Sequence, residues 1–179
     1  STEVQWVQEA YTLVFAALLL VFGSLADRFG RRRVMLIGVV VFAASSVLAA
    51  FAADGGMLIL ARLAQGVGGA MILPTTLSII NATFRGRERG IAFAVWGSTI
   101  GGMAAVGPLL GGWLTTAFSW RWAFGINIPL GIVIIIGVLL TVAESRSDRT
   151  SKIDVVGAIL AVITMASLVF GLIEGRTYG

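Results

Sequence analysis

The stretch GSLADRFGRRR, residues 23–33, carries one aspartate and four arginines in its last seven positions, with a long apolar run on either side. Two apolar segments joined by so short and so basic a turn predict two membrane-spanning helices that reverse at one membrane face. Gly30 supplies a tight reversal and Gly23 permits close helix contact. The arginines follow from topology, since Arg and Lys collect in cytoplasmic loops. Asp27 does not, because acids contribute little to orientation. Two readings of it stay open: a helix cap or solvated acid, or an ion pair at the membrane edge that breaks when helices move.

Composition extends this reading to the whole chain. Of 179 residues, 58% are hydrophobic and only 12% are charged, and the mean hydropathy is +0.96. That excludes an ordinary soluble domain and points to an all-α integral membrane protein. The net charge of +4 is not a nucleic-acid footprint, because ten of the thirteen basic residues fall in three short loops. Without Cys or His the chain has no disulfide, no thiolate or imidazole metal site and no histidine base. No metal, no cofactor and no enzyme constellation is expected.

A helix crossing the ~30 Å hydrocarbon core needs about 20 mostly apolar residues. Six segments qualify: Ala10–Ala26, Val34–Ala53, Met57–Thr83, Gly90–Ala117, Arg121–Ala143 and Val155–Ile173. The predicted fold is a bundle of about six transmembrane helices. The loops after the first, third and fifth spans hold Arg28, Arg31, Arg32 and Arg33; Arg85, Arg87 and Arg89; and Arg146, Arg149 and Lys152. All three are expected on the cytoplasmic side, with Trp6, Trp113, Trp120 and Trp122 near the outer interface. Both ends would then lie outside. The acidic start has no basic n-region, so no signal peptide is read there, and at least one further helix is expected before Ser1. A complete six-span protein with external termini is the alternative.

Two spans carry polar or small-residue stripes. In LILARLAQGVGGAMILP, Arg62, Gln65, Gly66, Gly69, Leu73 and Thr76 share one helical face. Lipid would reject that face, so it should meet other helices or a wet cavity. An arginine inside a span costs ~2.5 kcal/mol or more unless it finds a partner. Snorkelling to the outer end, about a turn and a half away, is the competing reading. Pro74 is expected to bend the inner half of the span. In WGSTIGGMAAVGPLLGGW, Gly97, Gly101, Ala104, Pro108 and Gly111 form a stripe suited to close packing, and Gly107-Pro108 adds a bend.

These motifs resemble those of the major facilitator superfamily. Gly23, Leu25, Ala26, Asp27, Arg28, Gly30, Arg31 and Arg32 resemble its loop motif between the second and third helices, with Met35 where the family has Leu. Arg62, Gln65, Gly66 and Gly69 resemble its fourth-helix motif. Gly107, Pro108, Gly111 and Gly112 resemble the fifth-helix motif of its antiporters, although Met103 replaces the upstream glycine. SWRWAFGINIPLG, residues 119–131, resembles the fifth-to-sixth-helix junction of the fourteen-span drug:proton antiporters, and Arg121 there is expected to cap the outer end of span four. The resemblance implies helices two to seven of fourteen. Residues 1–143 would form the N-terminal bundle without its first helix, 144–154 a cytoplasmic linker, and 155–179 an extra linker helix with the start of an outer loop.

By that resemblance Asp27, Arg28 and Arg31 would stabilise the outward-facing state, and Arg62 would assist proton coupling with Gln65, Gly66, Gly69 and Thr76. The implied function is proton-coupled multidrug efflux from a bacterial inner membrane. Its partners are the lipid bilayer, protons, a small lipophilic substrate, cations among them, and the remaining half of the same transporter; nucleic acid is not among them. No Asp or Glu lies within the middle of any span, so the proton-accepting carboxylate is expected elsewhere. Export of lipid or amino acids, and a non-transporting membrane assembly module, are the alternatives.

Overall fold

The computed structural model describes residues 2–147, together with 156, 157, 159, 160, 163, 164 and 167. The helices are α1 (Thr2–Phe29), α2 (Arg31–Ala50), α3 (Gly55–Thr83), α4 (Gly86–Ala117), α5 (Trp120–Gly125) and α6 (Asn127–Thr141). Five stretches are long and apolar enough to cross a membrane: Ala10–Phe29, Arg31–Ala50, Gly55–Thr83, Gly86–Ala117 and Trp120–Thr141. They match the first five expected spans. The sixth falls largely outside the described residues, where the isolated described positions are helical. The fifth span holds two helical segments joined at Ile126, a single residue that keeps helical dihedrals (φ −61°, ψ −24°) and donates to the Trp122 carbonyl at 3.1 Å.

α3 is the axis of the bundle. α1 and α2 both lie along it, α6 packs across α2, and α5 touches α2 and α4. Small residues make this possible, since membrane helices gain by packing backbones closely rather than by hiding apolar surface from water. Ala10, Ala17, Ala26, Ala49, Ala61 and Ala70 are buried, whereas Leu20, Leu60 and Leu140 point outward. The nearest approach of α2 and α3 is at Gly38 and Gly68. A Cβ on Gly68 would lie 2.7 Å from the Phe42 nitrogen and 2.8 Å from the Gly38 carbonyl. Gly66 does the same toward α1, where a Cβ would meet the Tyr11 carbonyl at 2.6 Å.

The turns are built by local chemistry. Gly30, at φ 115°, accepts the first bond of α2 from Val34 and closes α1 through Ala26, so one residue reverses the chain. Asp54 caps α3 by accepting from the Met57 nitrogen at 2.7 Å. Because α2 and α3 run in opposite directions, the basic turns at 27–33 and 85–89 share one end of the bundle. The segment 144–147 joins them: the Arg31 nitrogen donates to the Ser145 carbonyl, and the Ser147 nitrogen to the Asp27 carbonyl. The first two basic turns and Arg146 of the third thus share one end, as expected, while Arg149 and Lys152 lie outside the described residues.

α4 departs from expectation. Among the described helices it touches α3 and α5 alone, and against these none of its residues is buried. A Cβ at Gly97, Gly101, Gly102, Gly107, Gly111 or Gly112 would meet nothing within 4 Å. The stripe is present, but no described helix packs into it.

Candidate functional site

Arg62 stands two turns into α3, where its side chain reaches across to α1 and α5. Nε donates to the Val7 carbonyl at 3.2 Å and Nη1 to Gln65 Oε1 at 2.8 Å. Its guanidinium lies 4.6 Å from the centre of the Tyr11 ring and 5.9 Å from that of Phe124. Two aromatic faces, a carbonyl and an amide therefore shelter the charge. No carboxylate reaches it among the described residues, where ion pairs occur only at the basic turn. The charge is solvated by dipoles and ring faces.

The rest of the predicted stripe divides by role. Gln65, 1% exposed, faces α2 and donates through Nε2 to Ser46 Oγ at 2.8 Å. Gly66 and Gly69 give α1 room: a Cβ on Gly69 would lie 2.9 Å from the Tyr11 hydroxyl. Thr76 Oγ1 donates to the Leu73 carbonyl and accepts from Trp96 Nε1 at 3.3 Å, tying α3 to α4. Thr75, just after Pro74, donates to the Met71 carbonyl. Pro74 itself is enclosed in an uninterrupted α3 and lies against Gly23 of α1, 3.5 Å from where a Cβ there would sit.

Beside this stripe opens a cavity of about 900 Å³ between α1, α2, α3, α4 and α6. Its wall is apolar and aromatic, with Tyr11, Phe15, Phe42 and Trp96, and its polar groups include Thr76 and Asn127. No ionisable carboxylate or basic side chain lines it. Such a wall suits an apolar occupant, cargo or neighbouring helix alike.

At the basic turn, Asp27 pairs with Arg31, Nη2 and Nε both at 2.8 Å from Oδ1. Arg28 lies over the Phe29 ring at 5.6 Å, and Arg32 Nη2 donates to the Leu139 carbonyl at 3.1 Å. Glu144, passed over in the sequence, dominates the turn. Its Oε1 accepts from the Arg32 nitrogen at 3.1 Å and its Oε2 from the Arg33 nitrogen at 3.2 Å, so it caps the N-terminus of α2 from beyond α6. A Cβ on Gly30 would fall 2.7 Å from its carboxyl group. The one available signal was an acid placed directly behind an apolar span.

Arg121 corrects an expectation. It does not cap α4, which ends through Phe118 bonding the Leu114 carbonyl. Its Nη2 donates to the Ala52 carbonyl at 2.9 Å, just past the end of α2, while its guanidinium stacks 4.5 Å over Trp120. Ser46 and Asn127 were also unforeseen, as polar residues inside apolar spans.

Comparison with known proteins gives a consistent picture. A family model described as Major Facilitator Superfamily matches residues 1–175. The chain is 41% identical over 177 residues to the puromycin resistance protein pur8 of Streptomyces alboniger, covering 98% of this chain and 35% of that protein. It is 33% identical over 178 residues to the tetracenomycin C resistance and export protein of Streptomyces glaucescens, covering 99% and 33%. It therefore spans about a third of the length of these curated relatives. A solved structure of the peptide transporter POT with sulfate superposes with a TM-score of 0.71 at 19% identity, over 97% of this chain and 38% of that one, a likeness of fold.

Proposed function

This chain belongs to the Major Facilitator Superfamily, a family of transporters and not of enzymes, and from that premise we propose that the protein carrying it is a secondary-active exporter of small lipophilic compounds, antibiotics and lipophilic cations among them, driven by protons. Relatives named for puromycin resistance and for tetracenomycin C resistance and export support the substrate class. Their bacterial sources support placement of this multi-pass protein in a bacterial inner membrane.

The observation that carries the reading is Arg62, held inside a membrane span by protein groups with no counter-ion among the described residues. Keeping an unneutralised cation there is expensive unless it serves an ion or substrate pathway. A carboxylate elsewhere in the protein that binds and releases protons would gain and lose this cation as a partner. In this proposal Arg62 and Gln65 assist coupling, Gly66, Gly69 and Thr76 shape the cavity face, and Asp27, Arg28, Gly30, Arg31 and Arg32 form the cytoplasmic latch. Residues 1–143 make part of the first bundle, and the remaining length of such a protein supplies the second bundle that alternating access requires. The glycine face around Gly107, Pro108, Gly111 and Gly112 then packs against helices outside this chain.

The test is export from cells expressing the full-length protein, over a panel of lipophilic dyes and antibiotics including puromycin. Accumulation of at least one compound should fall, and a protonophore should restore it. Arg62→Ala should abolish the effect with the protein still inserted. Export that ignores the protonophore, or an Arg62→Ala variant as active as the parent, overturns the reading.

A further inference from the structure

A chain of side-chain hydrogen bonds runs from Arg62 to the junction between α5 and α6. Arg62 Nη1 donates to Gln65 Oε1 (2.8 Å), Gln65 Nε2 donates to Ser46 Oγ (2.8 Å), and Asn127 Nδ2 donates to the same oxygen (3.2 Å). The Ser46 hydroxyl donates in turn to the Phe42 carbonyl at 2.7 Å. A serine hydroxyl offers one hydrogen and two lone pairs, so Ser46 is saturated. Ser46 and Gln65 are 0% and 1% exposed. In so dry a place a lost partner cannot be replaced by water, and the group left behind bears its full desolvation cost.

Asn127 sits at the junction of the two helical segments of the fifth span. It is the first residue of α6, and α5 ends two residues earlier. α5 reaches the same guanidinium through Phe124 and is anchored to the α2–α3 turn by Arg121. The Asn127 Oδ1 has no hydrogen-bond partner among the described residues, and the residue borders the cavity. Neither side chain is needed for helix formation. An amide and a hydroxyl inside apolar spans are costly unless their hydrogen bonds are required.

We infer that Ser46 and Asn127 are positioning residues of the Arg62 site: through Gln65 they hold the guanidinium in register with the α5–α6 junction, so a displacement of either is felt by the other. The transport consequence rests on the exporter reading above; the mechanical link does not. Ser46→Cys keeps the size of the side chain but is a weak acceptor. It frees Gln65 Nε2, and Gln65 no longer pins Arg62. Asn127→Leu removes the other arm at similar volume. Ser46→Thr retains the hydroxyl.

The experiment uses the full-length protein in proteoliposomes, with the panel dye that the parent exports fastest under an imposed proton gradient. Ser46→Cys and Asn127→Leu should each lower the maximal rate about tenfold, with a smaller effect on the half-saturating dye concentration, and Ser46→Thr should restore most of it. Combined with Arg62→Lys, each should add less than twofold, because residues acting as a unit are not additive. The same cycles in the unfolding equilibrium of the detergent-purified protein need no dye and should also be non-additive. Parent-like rates for Ser46→Cys and Asn127→Leu beside an impaired Arg62→Lys overturn the inference and leave the exporter reading standing. Additive losses in both cycles overturn it too. A parent protein that carries no dye sinks the exporter reading instead, and the stability cycles then decide the link alone.

Discussion

Replacing Glu144 with Gln should loosen the basic-turn end of the bundle by an amount the geometry sets. The carboxylate takes the Arg32 and Ser145 nitrogens on Oε1 and the Arg33 nitrogen on Oε2. An amide keeps one acceptor oxygen, but its NH2 then faces a backbone N–H, and the charge opposing the α2 dipole is gone. Loss of one cap bond is worth about 0.5–2 kcal/mol and loss of the dipole term about 0.3–1 kcal/mol, so roughly 1–3 kcal/mol is expected in total. The Arg33 pair adds little, since its contact is 3.8 Å and the arginine side chain is 67% exposed. Thermal unfolding of the purified full-length protein should fall by on the order of 2 °C per kcal/mol. Gly30→Ala supplies an internal check. It suffers both the positive φ, at about 1–3 kcal/mol, and the clash with the carboxyl group; in a Glu144→Ala background only the first remains, so its cost should shrink. An unchanged melting temperature in Glu144→Gln would show that the cap does not hold the turn, and a drop matched in full by Arg33→Gln would show that the surface ion pair holds it instead.

Other substitutions divide the molecule in the same way. Gly68→Ala should cost about 1–3 kcal/mol through overpacking against α2, seen as lower yield and melting temperature. Gly101→Ala should leave this bundle's stability unchanged, so any loss of transport it causes would report contacts beyond the described helices. Arg62→Lys cannot reproduce the fork that binds Val7 and Gln65; transport should drop about tenfold with normal membrane insertion, as measured by dye efflux beside immunoblotting. Arg121→Ala removes a bond to the end of α2 and should destabilise by about 0.5–1.5 kcal/mol, read by thermal unfolding.

Much of the architecture was legible without coordinates, because lipid admits few ways to bury a backbone. Each long apolar run had to be a helix, and each basic turn marked a side. The Arg62 stripe was legible for the same reason: a cation, an amide and glycines on one face have no place against hydrocarbon. Glu144 escaped notice because its partners are backbone N–H groups 111 and 112 residues away, and backbone donors leave no mark in a sequence. Asn127 and Ser46 escaped because a lone polar residue in a span says nothing of which other span it meets. The placement of Arg121 escaped because its partner is the Ala52 backbone carbonyl, 69 residues away.

Composition and periodicity alone therefore determined the number and direction of the described spans and the face of α3 that must avoid lipid, since these follow from transfer energies acting residue by residue. Tertiary structure alone decided that Arg62 rests between α1 and α5, that a carboxylate from beyond α6 closes the α1–α2 turn, and that the glycines of α4 lie open. Those outcomes depend on distances between helices far apart in the chain, and hydrogen bonds and steric fit are set by tenths of an ångström that no local pattern encodes.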